Sequence, residues 1–411
     1  MRTTLMYMLL MLPLLMAGQR NRCDVDQRFD LTKSNPVYQS FLSHIEEGIL
    51  PDNIEPRSES YFPVVIHVVM REPLQPVSVA QAIQQLDVLN ADFAARGNNI
   101  GKLRDEFRPL VGDAQMKFCL ATVDPQGQPT SGITHTTTTV QDIALQTGEG
   151  GRIAIHWDEL GGKTGWDPTR YINIWIGEYG GILGSASFPG MANYPEEIGL
   201  IIDPKYFGSI GAAGNSGFYS GGHTLTHEMG HFFGLKHIWG QGTGEDCNDS
   251  DEIEDTPNAA GPYYDCPQGV QESCGTSDMY QNFMDFTDDR CLAAFTHDQV
   301  MMMQTTAAVY YPDLDIEGTC TVTADTFDTW YDQLVWSDDQ ASGTYVIYNT
   351  DGWMGKIEIE VYSVDGRLVL EDVWEDQLSY LLDLSHVAAG VYVVRLVSGE
   401  EEFVRKIVRV E

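Results

Sequence analysis

From Tyr61 to Met70 the chain reads YFPVVIHVVM. A nearly continuous apolar run of this length predicts a buried strand, with His67 a satisfied core residue inside it. From Val77 to Phe93 the apolar positions Ile83, Leu86, Leu89 and Phe93 recur at helical spacing. They predict a helix, with Ser78 as its N-cap. Short apolar runs at Met116 to Ala121, Tyr171 to Ile176 and Gly199 to Asp203 predict three more strands. Ile182 to Phe188 reads as an edge strand that Pro189 ends. A glycine-rich loop over 208–222 leads into a helical stretch that Thr224 is placed to cap. Mixed strands between two helices predict an α/β/α-like upper half. From about Thr321 the pattern changes to short alternating strands, among them Lys356 to Tyr362, Gly390 to Val397 and Glu402 to Val408. Turns such as Val364-Asp365-Gly366-Arg367 separate them, which predicts a small all-β sandwich.

The N-terminal stretch is patterned differently. Arg2 precedes an apolar run from Leu5 to Met16, and Ala17 and Gly18 follow it. The run is too short to span a bilayer and reads as a signal peptide over 1–18. No other segment is apolar enough to cross a membrane. Residues 19–57 are polar, weakly periodic and hold Pro36, Pro51 and Pro56, as expected of a propeptide; Arg57 is a candidate maturation point. The expected division is therefore signal peptide 1–18, propeptide 19–57, catalytic domain 58–320 and β-domain 321–411.

Composition adds class and compartment. The 411 residues allow two or three domains, and a 43% hydrophobic content suits a folded chain. A net charge of −36 repels nucleic acid and anionic membranes and suits a binder of hard cations. Export permits disulfides. The seven cysteines are Cys23, Cys119, Cys247, Cys266, Cys274, Cys291 and Cys320, so at least one is unpaired or held for another task.

The candidate chemistry lies in residues 227 to 237, HEMGHFFGLKH. His227 and His231 sit one helical turn apart and can offer two imidazoles to one metal ion. Gly234 can take a positive φ, end the helix and let the chain bring in His237. Three nitrogens on one side of zinc leave a fourth position for water, as at catalytic sites. Glu228 is then the general base and later the acid. Cys23 offers a thiolate that could occupy the open position; it is otherwise a plain thiol or a disulfide partner. Glu245 to Asp255 (EDCNDSDEIED) is either a solvated acidic loop or a calcium site, with Asp251 and Thr256 as the side-chain ligands. Cys247, Cys266, Cys274 and Cys291 contain no C-x-x-C pair, so two disulfides fit them better than a second zinc. An unpaired edge at Gly184, Ser185 and Ala186 could hold an extended peptide by strand addition.

The motif resembles that of the metzincin zinc endopeptidases, in which a methionine lies in a tight turn under the metal; Met284, in Asn282-Phe283-Met284-Asp285-Phe286, is the candidate. Together with the acidic D-T-P loop, the cysteine-rich connection and residues 282–295, the motif resembles the pappalysin family over roughly residues 58–315. The resemblance implies an α+β metzincin-like catalytic domain: a mixed twisted sheet, a zinc helix and an irregular C-terminal subdomain. It implies pairs Cys247–Cys274 and Cys266–Cys291, bound calcium, and cleavage before basic residues. Asp288 and Asp289 would then lie at the S1′ pocket, or else are surface charge. Some metzincins use a propeptide cysteine for latency, the role this implies for Cys23. The family usually carries tyrosine where this chain has Phe286, a lost oxyanion donor. The last eighty or so residues resemble sorting domains recognised by type IX secretion machinery; an accessory carbohydrate-binding domain is the alternative. The expectation is a latent zinc endopeptidase acting on protein or peptide substrates, exported through the periplasm to the surface or medium. The rival is a zinc-binding surface protein with weak or no turnover.

Overall fold

The computed structural model describes residues 22–23, 59–72, 77, 79–128, 130–209, 213–240, 247–314, 334–339, 344–349, 356–363, 366–375, 379–399 and 401–409. The expected signal peptide, Arg57, Ser78 and Cys320 fall outside them, as does all of 19–57 except Arg22 and Cys23.

One six-stranded sheet organises the first domain. Its strands are β1 (Ser60–Met70), β2 (Met116–Leu120), β3 (Ile133–Thr137), β4 (Ile172–Ile176), β5 (Gly184–Ala186) and β6 (Leu200–Ile202). The order is β2-β1-β4-β6-β5, with β3 also pairing β1. β1 runs parallel to β2, β3 and β4 and is buried from Phe62 to Val69, which explains its unbroken apolar run. His67 is satisfied there by Thr134 and Asn173, at 2.8 and 3.0 Å. β3 was not legible, because its sequence ITHTT is polar after Ile133, the one residue of the strand that is buried. β5 runs antiparallel to β6 and is the sheet's edge, but only three residues of the expected longer strand pair.

Helix α1 (Val79–Phe93) buries Ala82, Leu86, Leu89 and Phe93 in the same core as Phe62 and Phe118. Its buried Gln85 donates to the Gly222 carbonyl at 2.9 Å and so anchors the start of the next helix. That helix, α2 (His223–Phe232), carries the motif. Its cap corrects the expectation for Thr224: the N-cap is Gly222, at φ 83°, and Thr224 lies inside the helix. The donors of this first turn are served from far away in sequence. Asp289 Oδ2 accepts from the Gly221 and His223 amides, at 2.9 and 3.3 Å. A two-residue hairpin pairs β7 (Glu272–Ser273) with β8 (Thr276–Ser277). Helix α3 (His297–Tyr310) follows, closed at its start by a capping box between Thr296 and Gln299. The irregular region before α3 is stapled by Cys247–Cys274 and Cys266–Cys291. Cys119 is disulfide-bonded too.

The C-terminal residues form two sheets. β9 (Leu334–Asp339), β10 (Thr344–Asn349) and β13 (Ser379–Asp383) make one, in the order β13-β10-β9. β11 (Lys356–Ser363), β12 (Leu368–Glu375), β14 (Gly390–Ser398) and β15 (Glu401–Arg409) make the other, ordered β12-β11-β14-β15. Ile347 and Leu382 of the first share a core with Ile359, Val361, Val394 and Leu396 of the second, as in a sandwich. No helix among the described residues is long and apolar enough to cross a membrane.

Candidate active site

α2 presents His227 and His231 on one face, and the chain then turns at Gly234, where φ is 92°. The Gly234 and Leu235 amides return to the His231 and Gly230 carbonyls, at 3.0 and 2.9 Å, closing the helix and delivering His237. The three Nε2 atoms lie 3.1, 3.1 and 3.3 Å apart. His227 Nδ1 and His231 Nδ1 each donate to a backbone carbonyl at 2.7 Å, of Phe283 and Leu235. Their Nε2 atoms therefore carry lone pairs that face one another. Burial, and then the neighbouring imidazoles, hold both rings far below the usual histidine range, so they are neutral. Converging lone pairs repel unless a cation sits among them. Tetrahedral zinc with Zn–N of about 2.0–2.1 Å has a ligand-to-ligand edge of about 3.3 Å, which this spacing fits. The carbonyl partners are the outer-shell contacts that orient such ligands. Trp239 stacks on His237 with ring centroids 4.5 Å apart and fixes the third ring.

The fourth side is taken by Cys23, whose ligand atom lies with those of the three histidines in one group spanning 4.8 Å. Its thiol donates to Glu228 Oε2 at 3.5 Å. Glu228 is fully buried under β5. A Cβ at Gly184 would come within 2.9 Å of Glu228 Cγ, so only glycine lets the rim strand approach this carboxylate. Cys23 pairs in parallel with Gly184, and the Arg22 carbonyl accepts from the Leu183 amide at 3.2 Å. Ser185 and Ala186 continue the rim and, like Gly184, pair with β6 on its other side.

Arg22 is the residue that sequence reasoning missed. Its side chain is buried, its guanidinium contacts the Thr287 carbonyl and Asp289 Oδ1, and it lies over the Tyr219 ring. No local pattern separates it from the other arginines of a polar segment. Of the two aspartates expected together, Asp289 meets this arginine. Asp288 faces elsewhere: its carboxylate pairs with Arg290 at 3.0 Å and its amide donates to the Asp265 carbonyl. The consecutive residues lie in a turn, closed from the Asp288 carbonyl to the Cys291 amide, so their side chains diverge.

Met284 is buried beneath α2, in a turn closed by the Asn282 carbonyl and the Asp285 amide. Phe286 packs on the His237 and His227 rings at 4.8 and 5.8 Å. In the acidic loop, Asp251 and Thr256 bond each other at 2.7 Å, and burial pushes the Asp251 carboxyl up to about 7.

The comparisons with known proteins agree with this geometry. Residues 158–308 match the family described as pregnancy-associated plasma protein-A, a peptidase family, and residues 341–411 match a secretion system C-terminal sorting domain. The structure of mature mirolysin from Tannerella forsythia, in complex with a cleaved peptide, is 36% identical with TM-score 0.59. That match covers 64% of this chain and 97% of the mirolysin chain. The chain belongs to the pappalysin family of metzincin zinc metallopeptidases. A promirolysin variant from the same organism is 32% identical with TM-score 0.62, covering 72% of this chain and 96% of its own. An extracellular metalloprotease of Arthroderma benhamiae is 37% identical over 127 residues, 30% of this chain. The aligned part spans 42% of that fungal protein, less than half its length.

Proposed function

We propose that this pappalysin is a secreted zinc endopeptidase that cuts before arginine or lysine and is made latent by its own propeptide. One observation carries the reading: Arg22 fills a pocket ending on Asp289 while its neighbour Cys23 holds the fourth side of the imidazole cluster. A basic side chain has its counter-charge, at 3.2 Å, one residue away from the reacting centre.

His227, His231 and His237 would hold zinc, which would supply Lewis acidity for a carbonyl and lower the pKa of a water. Glu228 takes the proton and hands it to the leaving amine. Gly184, Ser185 and Ala186 hold the substrate backbone by strand addition along β5. Asp289 holds the basic side chain after the scissile bond. In the precursor Arg22 precedes Cys23, whereas a substrate's basic residue follows the scissile bond. The propeptide therefore runs backwards relative to a substrate, which is the sense of its parallel pairing with Gly184. Its thiol excludes water, and its arginine blocks the specificity pocket. In the acidic loop Asp251 and Thr256, bonded to each other at 2.7 Å, are the side chains we assign to a calcium ion. The sorting domain supports export by a dedicated secretion system.

The test compares peptides with internal arginine, with and without chelator, and beside Glu228→Ala and Asp289→Asn. Chelator-sensitive cleavage before arginine, lost in the first variant and about 10²-fold weaker in the second, supports the reading. Equal, negligible turnover in every sample favours a zinc-binding surface protein.

A further inference from the structure

Beyond the Arg22 pocket the cleft continues into a hollow of about 430 Å³ lined by Gly181, Leu183, Tyr206, Ser216, Phe218 and Tyr219. Two of its walls are walls of the arginine pocket. Leu183 donates its amide to the Arg22 carbonyl, and Tyr219 lies under the guanidinium. The hollow reaches from there to Gly181, in the turn closed by the Tyr179 carbonyl and the Ile182 amide before β5. In an extended chain, side chains two positions apart face the same way, about 6.6 Å apart. A substrate laid along this rim with its basic residue in the Arg22 position would turn the next side chain away. It would point the one after that into the hollow.

The lining gives that side chain a chemistry. Tyr206 and Tyr219 meet edge to face with ring centroids 5.9 Å apart, and Phe218 is 46% exposed beside them. Among the described residues no carboxylate lines the space, and the Arg290 guanidinium lies 5.9 Å above the Phe218 ring, which disfavours a second cation. We infer that this hollow is an S3′ subsite for an aromatic side chain, two residues after the basic one. Aromatic rings prefer such offset and edge-to-face partners. The inference rests on the reading of the Arg22 pocket as S1′.

The test uses the full chain activated by limited proteolysis. Its substrates are peptides with arginine fixed after the scissile bond and tryptophan, tyrosine, phenylalanine, alanine, arginine or aspartate two residues further on. Tryptophan, tyrosine and phenylalanine should exceed alanine by about tenfold in kcat/KM, chiefly through KM. Ser216→Trp, which fills the hollow, should level the series. Cleavage before arginine with a flat profile, or with arginine favoured in the third position, overturns the subsite but leaves the pocket reading intact. Cleavage that ignores the fixed arginine, or no cleavage of any peptide, overturns that reading itself and the subsite with it.

Discussion

Gly230 and Met284 touch so closely that no other residue fits at position 230: a Cβ there would lie 2.6 Å from the Met284 sulfur. The glycine lies on the helix between Glu228 and His231, and the methionine on the turn whose Phe283 carbonyl fixes the His227 ring. Gly230→Ala should therefore push the turn off the helix. The expected cost is about 1–3 kcal/mol of stability, with weaker zinc retention. Thermal unfolding and zinc content of the purified protein check this. An unchanged Tm with full zinc would show that the turn gives way freely.

Latency is expected to depend on two contacts, one at the cluster and one at Asp289. Precursors carrying Cys23→Ala or Arg22→Ala should each mature faster than wild type, and the double variant fastest. Band intensities over a time course of self-processing provide the measurement. If Arg22→Ala matures at the wild-type rate while Cys23→Ala accelerates, the guanidinium contributes nothing to restraint.

Asp285 gives a pH signature. It is fully buried beside the Met284 turn, and burial pushes its carboxyl up to about 8. An unfolded aspartate titrates near about 3.9. The folded protein thus keeps a proton that the unfolded chain releases across that window. The stability this group contributes is complete below about pH 4 and drains away as pH rises to 8. Asp285→Asn keeps an acceptor oxygen for the Tyr263 and Phe286 amides, which Oδ1 now accepts. Between pH 5 and 8 the variant's Tm should fall less steeply than that of wild type. Parallel slopes would mean the carboxyl is ionised throughout.

Phe286 sits where a hydroxyl could serve the reaction, its ring 4.8 Å from that of His237. Phe286→Tyr should raise kcat by about tenfold or more with little change in KM, since one added donor acts on the developing oxyanion. Steady-state kinetics on an arginine peptide decide it. A lower kcat at full zinc content would mean the added oxygen crowds the site.

What could be read from the chain beforehand follows from distance along it. His227, Glu228 and His231 share one helix and His237 follows a single turn, so their meeting is written in eleven consecutive residues. β1 and α1 were legible because burial on both faces, or on one stripe, leaves a strong pattern. The cap of α2 was not, because its acceptor is Asp289, 66 positions downstream of His223. Asp288 and Asp289 looked equivalent, and only the backbone turn tells them apart. Arg22 carried no signal, since its partner lies 267 positions away.

The Cys266–Cys291 bridge ends two residues after Asp289. The loop bearing Asp289 is therefore tethered by a bond that a reducing cytoplasm would not let form. The grip proposed for Asp289 on a basic side chain is thus firm only once that bond has formed, outside the compartment in which the chain is made.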